Sequence, residues 1–124
     1  MRRLTDNMHE LAVTEGILKV ALEAAAQADA PRIHAIDLVI GDLSGMVDDS
    51  IQFYFDILSR DTAAAGAMLR FRREPAQVDC AECGGQFAAQ PPLTPICPGC
   101  GGVRLRVVGG RELRVESIEV EDKP

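Results

Sequence analysis

Two cysteine pairs set the strongest limit on what this chain can fold into. Cys80-Ala-Glu-Cys83 and Cys97-Pro-Gly-Cys100 are each a CxxC, thirteen residues apart, and each is followed by two glycines, Gly84-Gly85 and Gly101-Gly102. A CxxC turn places two thiolates on one side of an ion, and two such turns complete a tetrahedron. Glycine after the second cysteine tolerates positive φ and lets the backbone close around sulfur. The surrounding composition makes such a crosslink necessary. Residues 76–110 hold all four cysteines, seven of the eleven glycines and four of the seven prolines. Few large apolar side chains remain there to build a core. The pattern is that of a zinc ribbon, with a short strand and loop in "GGQFAAQPPLTP" and a pairing strand in "VRLRVV". A closed four-cysteine site leaves no open position for substrate, so its expected role is to fold the module.

Other uses of four cysteines follow the redox compartment. Arg2 and Arg3 have no apolar stretch behind them until Leu11, so the start does not read as a secretory signal. A reducing, cytoplasmic setting is therefore expected, which disfavours two disulfides. Neither CxxC opens a helix in a βαβ unit, as a thioredoxin-like pair would. An iron–sulfur cluster also accepts four thiolates and stays open on spacing alone.

The rest of the chain has ordinary folding signals. Residues 8–29 read as a helix, wet along Glu15, Lys19, Glu23 and Gln27 and buried along Leu11, Leu18, Leu22 and Ala25. Asn7 is a plausible N-cap with Glu10 three residues on, and Pro31 ends the helix. Residues 32–43 read as a strand with Ile36, Leu38 and Ile40 on one face. Asp48 or Asp49 can cap a second helix, from about 50 to 64, striped by Ile51, Tyr54, Phe55 and Leu58. "MLRFRRE" is a strand with Leu69 and Phe71 inward and Arg70 and Arg72 outward. "RELRVESIEVED" is a last strand whose inward set shifts from Leu113 and Val115 to Ile118 and Val120, so a bulge near Ser117 is expected. The fold class is therefore α+β: a small two-helix, three-stranded domain made of 8–75 and 111–124, the four-cysteine domain 76–110 inserted in it, and an extension at 1–7.

Charge and motif content narrow the function. The net charge is −6, which argues against a surface that neutralises phosphates. Arg70, Arg72, Arg73, Arg104, Arg106, Arg111 and Arg114 cluster enough to keep a nucleic-acid or protein adaptor as the alternative, but aromatics for base stacking are few. No apolar run reaches the ~20 residues of a membrane span. No nucleophile with its base, catalytic carboxylate pair or phosphate loop is visible, so no enzyme is expected. Met8-His9-Glu10 at the helix start is, on spacing alone, a surface histidine beside a capping glutamate. His34, at a strand start, reads as structural.

"MHELAVTEGIL" opening a helix, a strand ending "IGDLSGMV", then "FYFDIL", "CAEC…CPGCGG" and a final acidic strand together resemble the HypA/HybF family. These are nickel-incorporation accessory proteins of nickel–iron hydrogenase maturation. The resemblance covers residues 8 to about 122. It implies a nickel-binding α/β domain carrying a structural zinc domain ligated by Cys80, Cys83, Cys97 and Cys100. It further implies a metallochaperone whose Ni(II) is transient cargo. His9 would be the ligand, Met8 would supply an amine and Glu10 would assist, with Asp48 and Asp49 as weaker auxiliary candidates. An amine, a deprotonated amide and an imidazole in one plane suit square-planar Ni(II), and an acidic neighbour orients the imidazole or balances charge. In the family Met-His-Glu is the protein's own N-terminus, whereas "MRRLTDN" precedes it here. The family's site thus leads one to expect a working protein that begins at Met8, because the start is assigned too early or because the extension is removed. The alternative is a different and weaker nickel site of His9 and backbone amides. The implied partners are a HypB-type GTPase and the hydrogenase large subunit, with no nucleic acid and no membrane, the chaperone itself being a monomer or weak homodimer.

Overall fold

The computed structural model describes residues 9–89 and 95–122. Among these the order is α1 (His9–Gln27), β1 (Ile33–Gly41), α2 (Asp48–Leu58), β2 (Met68–Glu74), β3 (Ala76–Cys80), β4 (Gln86–Ala89), β5 (Leu105–Val108) and β6 (Leu113–Val120). The strands form two three-stranded sheets, ordered β2-β1-β6 and β4-β3-β5. The fold is α+β, as the alternation of helical and strand periods implied. The described chain divides into two compact units. One holds the residues up to Val39, Met46–Arg72 and those from Arg114; the other holds Ile40–Gly45 and Arg73–Leu113.

The core of the first unit is apolar. Ile17, Ala21 and Ala25 of α1, Ile36, Leu38 and Val39 of β1, and Ile51 and Phe55 of α2 are all buried. The buried line of α1 is shifted from the expected one. Thr14, Ile17, Ala21 and Ala25 form it, while Leu11, Leu18 and Leu22 are half-buried along its sides. Three of these four residues are short and admit close approach. The polar face of Glu15, Lys19, Glu23 and Gln27 is exposed as expected.

Helix α1 stops before Pro31 is reached. The Ala30 N–H donates to the Ala25 carbonyl at 2.9 Å and the Asp29 N–H to the Ala26 carbonyl at 3.1 Å, with Asp29 at φ 55°. This is a Schellman cap with aspartate in the left-handed position. Helix α2 also differs from expectation, running Asp48–Leu58 instead of about 50–64. Its cap is Val47, with no side-chain cap bond. Asp48 and Asp49 are therefore first-turn acids that favour the helix dipole, not caps. Beyond Leu58 the chain turns, with Asp61 at φ 64°.

The polar face of the first sheet carries a cross-strand ion network. Arg70 on β2 donates to Asp37 on β1 at 2.7 and 3.1 Å and to Glu119 on β6 at 3.3 Å. Ser117 donates to the same Asp37 at 2.9 Å, and Arg72 pairs with Glu116 at 2.7 Å. In β6 the alternation of exposure slips by one at Glu116 and Ser117, where the sequence shifts register. At the β2 edge, the Gln52 side chain accepts the Leu69 N–H at 3.1 Å.

In the second unit β3 is central, a strand that the cysteine-rich composition had concealed. The two strands expected to pair with each other both pair with β3, antiparallel, with Val78 opposite Phe87 on one side and Val107 on the other. Ala76, Val78 and Cys80 alternate as its buried face. Two glycines permit a close backbone crossing here. A Cβ at Gly41 would lie 2.2 Å from the Gly110 carbonyl carbon, and one at Gly110, at φ 86°, would lie 2.8 Å from the Ala76 Cα.

The crossing and the ion network can each be tested by substitution. Gly110→Ala combines positive-φ strain with a backbone clash, whereas Gly45→Ala, at φ 76° in open space, carries the strain alone. Thermal melts should place the Gly45 variant about 1–2 kcal/mol below the parent and the Gly110 variant well below that. Equal losses would show that the crossing relaxes. Acid probes the network. Hydrogen bonds from Arg70, then Ser117, hold the Asp37 carboxyl below the usual carboxylate range. A depressed carboxyl contributes stability above its unfolded value, near pH 4, and loses it as pH falls through its folded value. Asp37→Asn should therefore melt earlier than the parent at pH 7, and the gap should close as the pH falls through the depressed folded value.

Candidate functional site

The two CxxC turns fold into matching knuckles. In the first, Cys80 N–H donates to the Gly85 carbonyl at 2.9 Å and Gly84 N–H to the Cys80 carbonyl at 3.0 Å; in the second, Cys97 N–H donates to Gly102 and Gly101 N–H to Cys97, both at 2.8 Å. Gly84 and Gly101 both sit at φ 75°, the conformation for which glycine after each pair was expected. Gly85 N–H then points at the Cys83 Sγ at 3.4 Å and Gly102 N–H at the Cys100 Sγ at 3.3 Å.

All four sulfurs lie within 4.8 Å of one another. Across the knuckles Cys80 and Cys100 are 3.6 Å apart, and Cys83 and Cys97 are 3.8 Å apart. A disulfide needs about 2.05 Å. A tetrahedron of thiolates with metal–sulfur bonds of about 2.3 Å has edges of about 3.8 Å. The donor set and its spacing thus fit a structural metal such as zinc. The sulfurs also compete for protons. Backbone hydrogen bonds, foremost at Cys83, bring the Cys80 thiol down to about 7. Cys100 accepts the Gly102 N–H, which lowers it, yet its hydrogen bond with Cys80 and burial push it up to about 12. Adding a proton to one sulfur hinders its neighbour, and a shared cation removes that competition.

Glu82, between the first two cysteines, closes the site from outside. Its Oε2 accepts the Val103 N–H at 2.7 Å and the Arg104 N–H at 3.3 Å, fastening the first knuckle to the chain after the second. The same carboxylate explains Gly102, where a Cβ would come within 2.3 Å of that oxygen. Spacing gives no warning of this contact; the one available signal was an acid inside a cysteine turn. Of the clustered arginines, Arg70, Arg72 and Arg106 are each engaged by carboxylates, the last by Asp79 at 3.3 Å. That removes part of the charge a nucleic-acid surface would use.

The second candidate site is the start of α1. Met8 lies outside the described residues, as does Asn7; His9 is the first residue of the helix and Glu10 stands in its first turn. The Glu10 carboxylate reaches across to α2 and accepts the Val47 N–H at 2.8 Å, next to Asp48 and Asp49. His34, at the start of the central strand β1, lies 3.5 Å from Glu121 just after β6.

A family model described as HypA, hydrogenase/urease nickel incorporation, metallochaperone, matches residues 8–120. The chain belongs to the HypA family. The hydrogenase maturation factor HypA of Dehalococcoides mccartyi strain 195 is 47% identical over 117 residues, covering 94% of this chain and 97% of that protein. Its namesake in Geobacter metallireducens is 41% identical over 114 residues, covering 92% of this chain and all of the relative. Two solution structures share the fold. A HypA protein matches with a TM-score of 0.69 at 23% identity, over 94% of this chain and 98% of its own. The Ni metallochaperone HypA from Helicobacter pylori matches at 0.64 and 20%, over 92% and 98%. As a HypA-family member the chain is a metallochaperone for nickel incorporation, a maturation factor and not an enzyme. No helix among the described residues is long and apolar enough to cross a membrane.

Removing one donor tests the sulfur cluster. Cys80→Ala should abolish stoichiometric metal in the purified protein and open residues 76–110 to proteolysis, while the circular dichroism of α1 and α2 persists. Global unfolding would show that both units melt as one.

Proposed function

We propose that the chain carries Ni(II) at the start of α1 and holds a structural zinc at Cys80, Cys83, Cys97 and Cys100. In this reading the nickel-binding domain is 8–75 with 111–124, and the zinc domain is 76–110. It delivers nickel to the hydrogenase large subunit, working with a HypB-type GTPase in the cytoplasm, as a monomer or weak homodimer. The observation that carries the reading is the family match, which begins at Met8 and so takes in Met8-His9-Glu10 as its first three residues.

The chemistry of those residues suits a carrier. The His9 imidazole and a neighbouring deprotonated backbone amide are strong nitrogen donors for Ni(II). Met8 supplies an amine when it begins the chain and an amide nitrogen when residues precede it. One imidazole and main-chain nitrogens at a helix start make an open set, from which cargo leaves more readily than from a closed cage. The zinc is held for the opposite purpose. Four thiolates surround it completely, and it supplies folding energy on the order of 10 kcal/mol.

Isothermal titration with Ni(II) tests the assignment on the full chain and on a chain beginning at Met8. His9→Ala should weaken binding at least about tenfold in whichever form binds, about 1.4 kcal/mol or more. Unchanged affinity in that variant would remove His9 from the site. Tighter binding by the chain beginning at Met8 would assign the amine its part.

A further inference from the structure

We propose that Glu10 is a positioning residue for the cargo and not one of its ligands. Its carboxylate ties the first turn of α1 to the first turn of α2, and so sets the His9 segment beside Asp48 and Asp49. This part for Glu10 rests on the nickel-site reading above and differs from the ligand-assisting one within it.

Helix α2 lacks a side-chain cap of its own. Val47 has extended backbone, φ −109° and ψ 122°, and makes no side-chain cap bond. Its carbonyl already accepts the Ser50 and Ile51 amides at 3.1 and 3.2 Å. In a capping box, the residue three positions into the helix returns a side-chain acceptor to the cap residue's own N–H. Here that residue is Ser50, and the acceptor on the Val47 N–H is Glu10 Oε2, at 2.8 Å. Glu10 thus supplies half of a capping box from another helix. Its carboxylate also stands at the N-terminal ends of both α1 and α2.

The other end of Glu10 is fixed as well. Thr14 Oγ1 donates to the Glu10 carbonyl at 2.5 Å, and Thr14 is fully buried. Main chain and side chain are therefore both held, one by the core and one by α2. If the carboxylate turned to bind the cargo, it would strand the Val47 N–H and uncap α2. Held in place, it fixes His9, its neighbour in the chain, against the helix start that carries Asp48 and Asp49. The negative charge then acts on the cargo at a distance, while its reach determines geometry.

Three substitutions separate reach from charge. Glu10→Gln keeps an oxygen at the same reach and loses the charge. Glu10→Asp keeps the charge and falls one methylene short of Val47. Glu10→Ala loses both. Nickel titration and amide hydrogen exchange at Val47 are measured for each, in whichever of the full chain and the chain beginning at Met8 binds nickel, after a thermal melt confirms folding. A positioning role predicts that Gln binds nickel within about threefold of the parent and keeps Val47 protected, while Asp and Ala bind about tenfold more weakly or worse and expose Val47. It also predicts that adding Ni(II) to the parent leaves Val47 protection in place. Asp binding as well as or better than Gln, all three matching the parent, or nickel releasing the Val47 amide would each overturn it. His9→Ala is the control for the underlying reading. If that variant binds nickel as the parent does, the site itself is wrong; if it loses nickel while Gln and Ala at position 10 behave alike, only the positioning role fails.

Discussion

In the second unit sulfur takes the place of a hydrocarbon core. Its described buried side chains on the cysteine-bearing elements are Ala76, Val78, Cys80 and Cys97, and two of those four are donors to one candidate metal centre. Strand β3 runs directly into the first knuckle, so the alternation that buries Ala76 and Val78 delivers the Cys80 sulfur to the same side. The sheet and the sulfur cluster are thus one continuous construction. A donor cluster suited to a structural ion accompanies a composition rich in glycine and proline, where little apolar area is available to bury.

Much of this was legible in the chain because the local rules are strict. A CxxC followed by glycine has few conformations, and both knuckles adopt the expected one. Strand β2 begins and ends where its alternation does, and Leu69 and Arg70 take the faces assigned to them. The misses have physical causes: a contact distant in sequence, a cap of unusual type, or a strand too short to carry a pattern. Asp29 ends α1 in a conformation normally left to glycine, which Pro31 then overshadows in the sequence. Val47 is a cap that no propensity would select, because its partner acceptor is on α1, 37 residues away. Strand β3 was hidden between "MLRFRRE" and Cys80, since five residues with Asp79 among them carry a weak pattern. Glu82 and Glu10 look like surface acids until their amide partners are seen.

The two candidate metal sites differ in how far the backbone encloses them. Around the cysteines every turn is doubly fixed by reciprocal amide–carbonyl bonds, and glycines allow the chain to wrap fully around the donors. At the start of α1 the candidate donors sit at a helix end, where amide groups are free of the helical ladder. Enclosure makes the first site part of the fold. Openness would let the second, on the proposed reading, exchange its occupant.

The Gln52 side chain gives the fold a protection that is easy to overlook. Strand β2 is an edge of its sheet, and edge amides are templates on which a foreign strand can grow. The Leu69 amide is already taken by Gln52, and Gln52 in turn donates its own amide to Asp56 at 2.7 Å. An incoming peptide must first displace a side chain that is anchored to the helix above it. At this position the sheet margin is thus less available to a neighbouring strand, which works against edge-to-edge self-assembly.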